Sequence, residues 1–156
     1  HTDCDSLRLA PAILGIPLQM QRDACGTVQA ELLRSLTKKE DLPLTKATER
    51  TELDVPLQAP GKGHLLKEGL LTEKELGQHA ACSQESLSNQ ERSGYHEHHG
   101  ETETYYLLEG KGVYNDDGSL IPVEAGDVTF CEDGHGHGVE NTGDLTLVFI
   151  ALILKN

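Results

Sequence analysis

His96-Glu97-His98, Glu103 and His137 are the residues of this chain whose types and spacing could do chemistry. Three imidazoles and a carboxylate suit a divalent first-row transition ion. On a β-strand alternate side chains share a face, so His96 and His98 can grip one ion as a pair. Glu103 lies an odd number of positions beyond His98 and joins that face only if the chain turns between them. His99-Gly100-Glu101-Thr102 places a glycine where such a turn needs one. His137 would close the site from a distant strand, with the turn-forming Asp133-Gly134-His135-Gly136 before it and Val139 and Asn141 following on its own face. Three His and one Glu leave one or two positions open on a five- or six-coordinate ion, and open positions imply binding of substrate or dioxygen. An isolated HxH pair is more often two solvated or hydrogen-bonded histidines. The joint spacing of four donors favours a metal site, whereas His99 and His135 lack that support and are read as rim groups.

Tyr105 follows Glu103 by two residues, and by strand parity it shares the donors' face. Its phenol could reach a metal-bound substrate as a general acid or base. The competing reading is an aromatic that merely lines the interior, because a phenol with a pKa near 10 needs a cation to lower it. Tyr106, by the same parity, points outward.

These residues resemble the paired motifs of the cupin superfamily, small β-barrels whose first motif runs glycine, HxH, glutamate, glycine and whose second runs glycine, PxG, histidine, asparagine. His96, His98, Glu103 and Gly110 match the first; Gly126, Gly134, His137 and Asn141 match the second. The match spans roughly residues 60 to 156 and is of the small bacterial single-domain kind. It implies one all-β jelly-roll barrel, also described as a double-stranded β-helix, with one metal ion held by His96, His98, Glu103 and His137. Two positions depart from the pattern. Glu132 stands where the second motif usually has proline, and Gln90 falls where the first motif usually begins with glycine.

The elements that must position these groups divide the chain at residue 58. Residues 1–58 are expected to form an extension that packs on the barrel. Within it, Val28, Leu32, Leu33 and Leu36 have helical spacing, and the charged, proline-bearing stretch from Lys46 to Pro56 reads as a connection. Residues 59–156 are expected to form the barrel, with strands beginning near His64. Thr72-Glu-Lys-Glu75 has capping-box spacing and predicts a helical turn before a strand around His79 to Leu87. Leu145 to Leu154 reads as a buried barrel strand or a dimer-interface strand, and a homodimer is expected. There is no internal repeat, so one HxH motif means one barrel.

Composition limits the partners. Thirteen basic against twenty-six acidic residues give a net charge of -13, which repels phosphate backbones and anionic membrane surfaces. No apolar run reaches the roughly eighteen residues of a membrane span. Leu7 to Leu18 is apolar, but its prolines and lack of a basic lead argue against a signal segment. Cys4, Cys25, Cys82 and Cys131 are widely spaced without CxxC pairs, which fits reduced thiols in a cytoplasm. Cys131, beside the second motif, is read as a reactive thiol, a soft extra ligand or simply a small buried residue, the last being the ordinary case.

The expected function is therefore that of a metal-binding single-domain cupin acting on a small oxygenated metabolite, a sugar or an organic acid. A metal-dependent isomerase or lyase is favoured, with a metal-dependent dioxygenase as one alternative and a non-catalytic small-molecule binder as another. Fe, Mn, Ni, Co and Zn are all admissible by ligand softness.

Overall fold

A computed structural model describes residues 45–156. The helix expected within residues 26–36 lies outside the described residues, as do Cys4 and Cys25. After a short 3-10 turn at Ala47–Glu49, ten strands follow: β1 (Glu52–Pro56), β2 (His64–Leu71), β3 (Ala80–Leu87), β4 (His96–Glu97), β5 (Glu101–Glu109), β6 (Lys111–Asp116), β7 (Ser119–Glu124), β8 (Val128–Cys131), β9 (Gly136–Asn141) and β10 (Leu147–Lys155). They form a six-stranded sheet, ordered β1-β2-β3-β10-β5-β8, and a four-stranded sheet, ordered β4-β9-β6-β7. All the strand pairs are antiparallel. This is the all-β jelly-roll arrangement expected from the motifs.

Alternation drives the sheets together. In β3 and β5 every second side chain is buried, Ser83, Glu85 and Leu87 in one and Glu103, Tyr105 and Leu107 in the other. β10 lies centrally between β3 and β5 and sends Leu147, Phe149 and Ala151 into the core. The apolar run from Leu145 to Leu154 is thus a barrel strand buried through Leu147, Phe149 and Ala151. The core gathers Leu87, Tyr105, Leu107, Tyr114, Val123, Val139, Leu147, Phe149 and Ala151. Each large member contributes about 1.5–3 kcal/mol by leaving water. No described helix is long and apolar enough to cross a membrane.

Two local readings compare directly with the structure. The capping box is present: Thr72 accepts a hydrogen bond from the Lys74 amide at 3.2 Å and Glu75 accepts one from the Thr72 amide at 2.8 Å, opening the one-turn helix α1 (Glu73–Leu76). The first strand, however, begins at Glu52 rather than near His64, because β1 pairs with β2 from Glu52↔Glu68 to Pro56↔His64. Charge and a terminal proline, which read as a connection, are also what a solvent-facing edge strand carries.

Candidate metal centre

Four segments from both sheets deliver the donors. His96 on β4 sits directly opposite His137 on β9 in the four-stranded sheet, while Glu103 comes from β5 in the six-stranded sheet. The crossing between sheets occurs at Gly100, whose φ of +79° is the left-handed conformation that the parity argument required there. His98 lies just beyond β4, and its amide donates to the His135 carbonyl at 2.9 Å, so the strand pairing is continued past its formal end.

The donor atoms of His96, His98, Glu103 and His137 all lie within 4.8 Å of one another. Glu103 Oε2 is the hub: His137 Nε2 is 2.8 Å away, His98 Nε2 3.0 Å and His96 Nε2 3.4 Å. His98 Nε2 and His137 Nε2 are 3.0 Å apart. Two ligands at right angles, each about 2.1 Å from a shared ion, stand about 3.0 Å from one another, so these separations are the edges of a coordination polyhedron. The residues fit a divalent transition ion.

Each histidine also has its outer nitrogen engaged. His96 Nδ1 lies 3.1 Å from the Gly94 carbonyl, His98 Nδ1 2.9 Å from Glu101 Oε1, and His137 Nδ1 2.8 Å from the Tyr114 hydroxyl. A proton on each outer nitrogen would leave every Nε2 a lone pair for an ion at the common centre, as metal-ligating histidines require. Gly94, Glu101 and Tyr114 were not singled out from the sequence. Glu101 was hidden inside an expected turn, and Tyr114 reaches His137 only because β6 pairs with β9.

Electrostatics agree with a cation site. Burial raises the Glu103 carboxyl, but hydrogen bonds from His137 and His96 outweigh it and hold the group at about 2. The hydrogen bond to Glu103 raises His96, whereas burial lowers His137. His137 is fully buried, and the His96 side chain, 41% exposed, marks the open side.

Tyr105 lies on the donors' face, 2% exposed, its ring stacked on His137 with centroids 4.7 Å apart. Burial, followed by the charges of Glu103 and Glu85, pushes its phenol well above the usual value. Tyr106 is exposed. His99 pairs with Glu97 at 3.1 Å and His135 with Asp117 at 2.5 Å, both in solvent and outside the donor cluster. The Cys131 thiol is buried and pushed up to about 11, first by burial and then by nearby carboxylates, so it stays protonated.

The two departures from the motif are absorbed locally. At Glu132 the turn is fixed without proline: the Glu132 carbonyl accepts from the His135 amide at 3.1 Å, and the Gly134 amide donates to the His98 carbonyl at 2.8 Å. Gln90 adopts a φ of +63°, the conformation a glycine would take without cost.

The Cupin domain family model matches residues 84–153. A curated relative, the oxalate-binding protein of Thermotoga maritima, is 35% identical over 112 residues, which cover 71% of this chain and 93% of the relative. The crystal structure of a predicted oxalate decarboxylase from Thermotoga maritima is similar at 34% identity and a TM-score of 0.69, over 72% of this chain and 99% of that one. A sugar phosphate isomerase from a cupin superfamily, from Silicibacter pomeroyi, shares the fold at 17% identity and a TM-score of 0.57, over 73% of this chain and 76% of that one.

Proposed function

Because the chain belongs to the cupin domain family, we propose that His96, His98, Glu103 and His137 hold one divalent transition ion at which a small oxygenated metabolite, an organic acid or a sugar, is isomerised or cleaved. The observation that carries this reading is the donor arrangement: three Nε2 atoms converge on one carboxylate oxygen while all three Nδ1 atoms are occupied elsewhere. An ion held there would act as a Lewis acid on a ligand oxygen.

The chain's own groups divide the remaining work. Glu103, ionised down to about pH 2, supplies the anionic donor. Tyr114 and Glu101 fix two of the rings. Tyr105 is the proposed proton carrier: burial and the charges of Glu103 and Glu85 hold its phenol protonated, and a cation at the centre would lower it toward a value at which it can give that proton to negative charge developing on the ligand. Its ring stacked on His137 holds the phenol against the centre. Cys82 and Cys131 are free thiols, and the proposed setting is the cytoplasm, where thiols stay reduced.

One observation favours a second reading, non-catalytic binding of a small organic acid, since the curated relative is an oxalate-binding protein. A single experiment addresses both. Protein purified without a chelating step is expected to carry close to one transition ion per chain, and His137→Ala to lose most of it. In metabolite screens of the metal-bearing protein, Tyr105→Phe is expected to retain metal and ligand while turnover falls about a hundredfold or more. Wild-type turnover by Tyr105→Phe makes Tyr105 a lining residue. Ligands that stabilise the protein but are never converted establish the binding reading instead, and full metal in His137→Ala overturns the centre itself.

A further inference from the structure

The chain turns between His98, which follows β4 of the four-stranded sheet, and Glu103, which lies on β5 of the six-stranded sheet. Gly100 makes that turn at a φ of +79°. A Cβ placed there would meet nothing within 4 Å, so the glycine serves the backbone conformation and not a close approach. A glycine of this kind is also the freest residue in a chain, able to take either sign of φ at little cost. Unrestrained, it would let His98 on one side of the turn swing against Glu101 and Glu103 on the other. Yet Glu101 Oε1 lies 2.9 Å from His98 Nδ1, and Glu103 Oε2 lies 3.0 Å from His98 Nε2.

Both backbone polar groups of Gly100 are taken. Its amide donates to Asp133 Oδ1 at 2.7 Å, and its carbonyl accepts from the Asn156 amide at 2.9 Å. The two partners are joined in turn, Asn156 Nδ2 donating to Asp133 Oδ2 at 3.1 Å. Three residues from separate parts of the chain thus close a circuit of hydrogen bonds around the pivot. Asp133 lies in the loop that leads to His137, and that loop also meets the turn through backbone alone: the His98 amide donates to the His135 carbonyl at 2.9 Å and the Gly134 amide to the His98 carbonyl at 2.8 Å. Those two bonds call for no particular side chain. The bond from Gly100 to Asp133 does, and it spans 33 positions of sequence, so it is not a local turn motif.

Gly100, Asp133 and Asn156 are all exposed. Hydrogen bonds between exposed groups replace bonds to water and add little to global stability, so the circuit is a weak fastening for the barrel. Its effect falls on what it orders, the angle between His98 and the start of β5. Donors held at their working separation before an ion arrives bind it without first having to order the turn.

We propose that Asp133 is a positioning residue for the metal centre: with Asn156 it fixes the Gly100 pivot, and through it the placement of His98 against Glu103. The proposal rests on the reading of His96, His98, Glu103 and His137 as metal donors. Asp133 acts on the ion through the backbone of Gly100, and its carboxylate is an acceptor for two donors, not a ligand.

The test loads the full chain with cobalt(II), whose visible spectrum reports the geometry of its ligands, and reads affinity by chelator competition at a salt concentration that screens surface charge. Asp133→Ala is expected to weaken cobalt binding about tenfold and to alter the spectrum, while the metal-free protein unfolds at nearly the wild-type denaturant concentration. Asp133→Asn should bind close to wild type, because its amide oxygen still accepts from the Gly100 amide and the Asn156 side chain can turn to accept from its nitrogen. Asn156→Asp sets two carboxylates against each other and should weaken binding by a factor similar to that of Asp133→Ala. Adding Asp133→Asn to Asn156→Asp should restore the affinity, a gain that structural damage cannot imitate. Should Asp133→Ala fail to fold, this last pair of variants decides the question. Wild-type affinity and spectrum in Asp133→Ala, or a double variant no tighter than Asn156→Asp alone, overturns the positioning role and leaves the centre standing. Wild type that takes up no cobalt overturns the centre and the proposal with it.

Discussion

Tyr114 acts on the centre through a single hydrogen bond. Its hydroxyl lies 2.8 Å from His137 Nδ1, in an environment where burial pushes the phenol up to about 12, so it remains neutral and cannot draw a full proton from the ring. An ion bound at Nε2 would set the tautomer with the proton on Nδ1, which then donates to the Tyr114 hydroxyl. Tyr114→Phe leaves a buried ring nitrogen without a partner and frees the ring to tilt. Metal affinity is expected to fall about ten- to a hundredfold, read by competition with a chromophoric chelator, while the protein stays folded. Affinity equal to wild type would remove Tyr114 from the positioning role. Among single residues, the clustering of His96, His98, Glu103 and His137 was legible from the joint spacing of the two motifs, and the opposite facing of Tyr105 and Tyr106 from alternation along β5. Tyr114 was not: it meets His137 only because β6 pairs with β9, which spacing along the chain does not encode.

Among the elements, the loop from β3 into β4 shows how a departure from a family pattern is tolerated. Gln90 takes a φ of +63° while its amide donates to the Asn141 carbonyl at 3.1 Å, and the Asn141 amide donates to the Glu91 carbonyl at 2.9 Å. Asn141 itself is fully buried, its Nδ2 donating to the Leu87 and Leu145 carbonyls and its Oδ1 accepting from the Gly143 amide. The hydrogen bonds over-determine the loop and hold a non-glycine residue in a left-handed conformation that costs about 1 kcal/mol or more. Gln90→Gly is therefore expected to raise stability by about 0.5–1 kcal/mol, the relief of strain being partly offset by a more flexible unfolded chain. Denaturant unfolding reads the effect, and a loss of stability would mean that the Gln90 side chain does more than its exposure suggests. At this scale the capping box and the turn at Gly100 were legible because each depends on neighbours in sequence. β1 was misread as a connection because an edge strand suppresses the apolar alternation by which strands are recognised.

At the scale of the whole molecule, the outer surface of the six-stranded sheet leaves Tyr106, Leu108, Val128 and Phe130 exposed, and Tyr106 lies opposite Val128 across β5 and β8. Contiguous apolar surface of this kind is covered in most proteins, and the proposed cover is the same face of a second copy, related by a two-fold axis. Light scattering at micromolar concentration is expected to give twice the chain mass of 17.0 kDa. Phe130→Glu should shift the species to the monomer without loss of metal. A wild-type protein that scatters as a monomer at that concentration would leave the face to some other use.

The four converging donors ride on β4, β5 and β9 and the short link after β4, whereas Tyr114, which holds the outer nitrogen of His137, rides on β6, a strand that carries no donor. A substitution on β6 can therefore change how the His137 ring is held without removing any of the four converging side chains. Such a division lets the centre be adjusted in small steps, one strand varying while the others stay fixed.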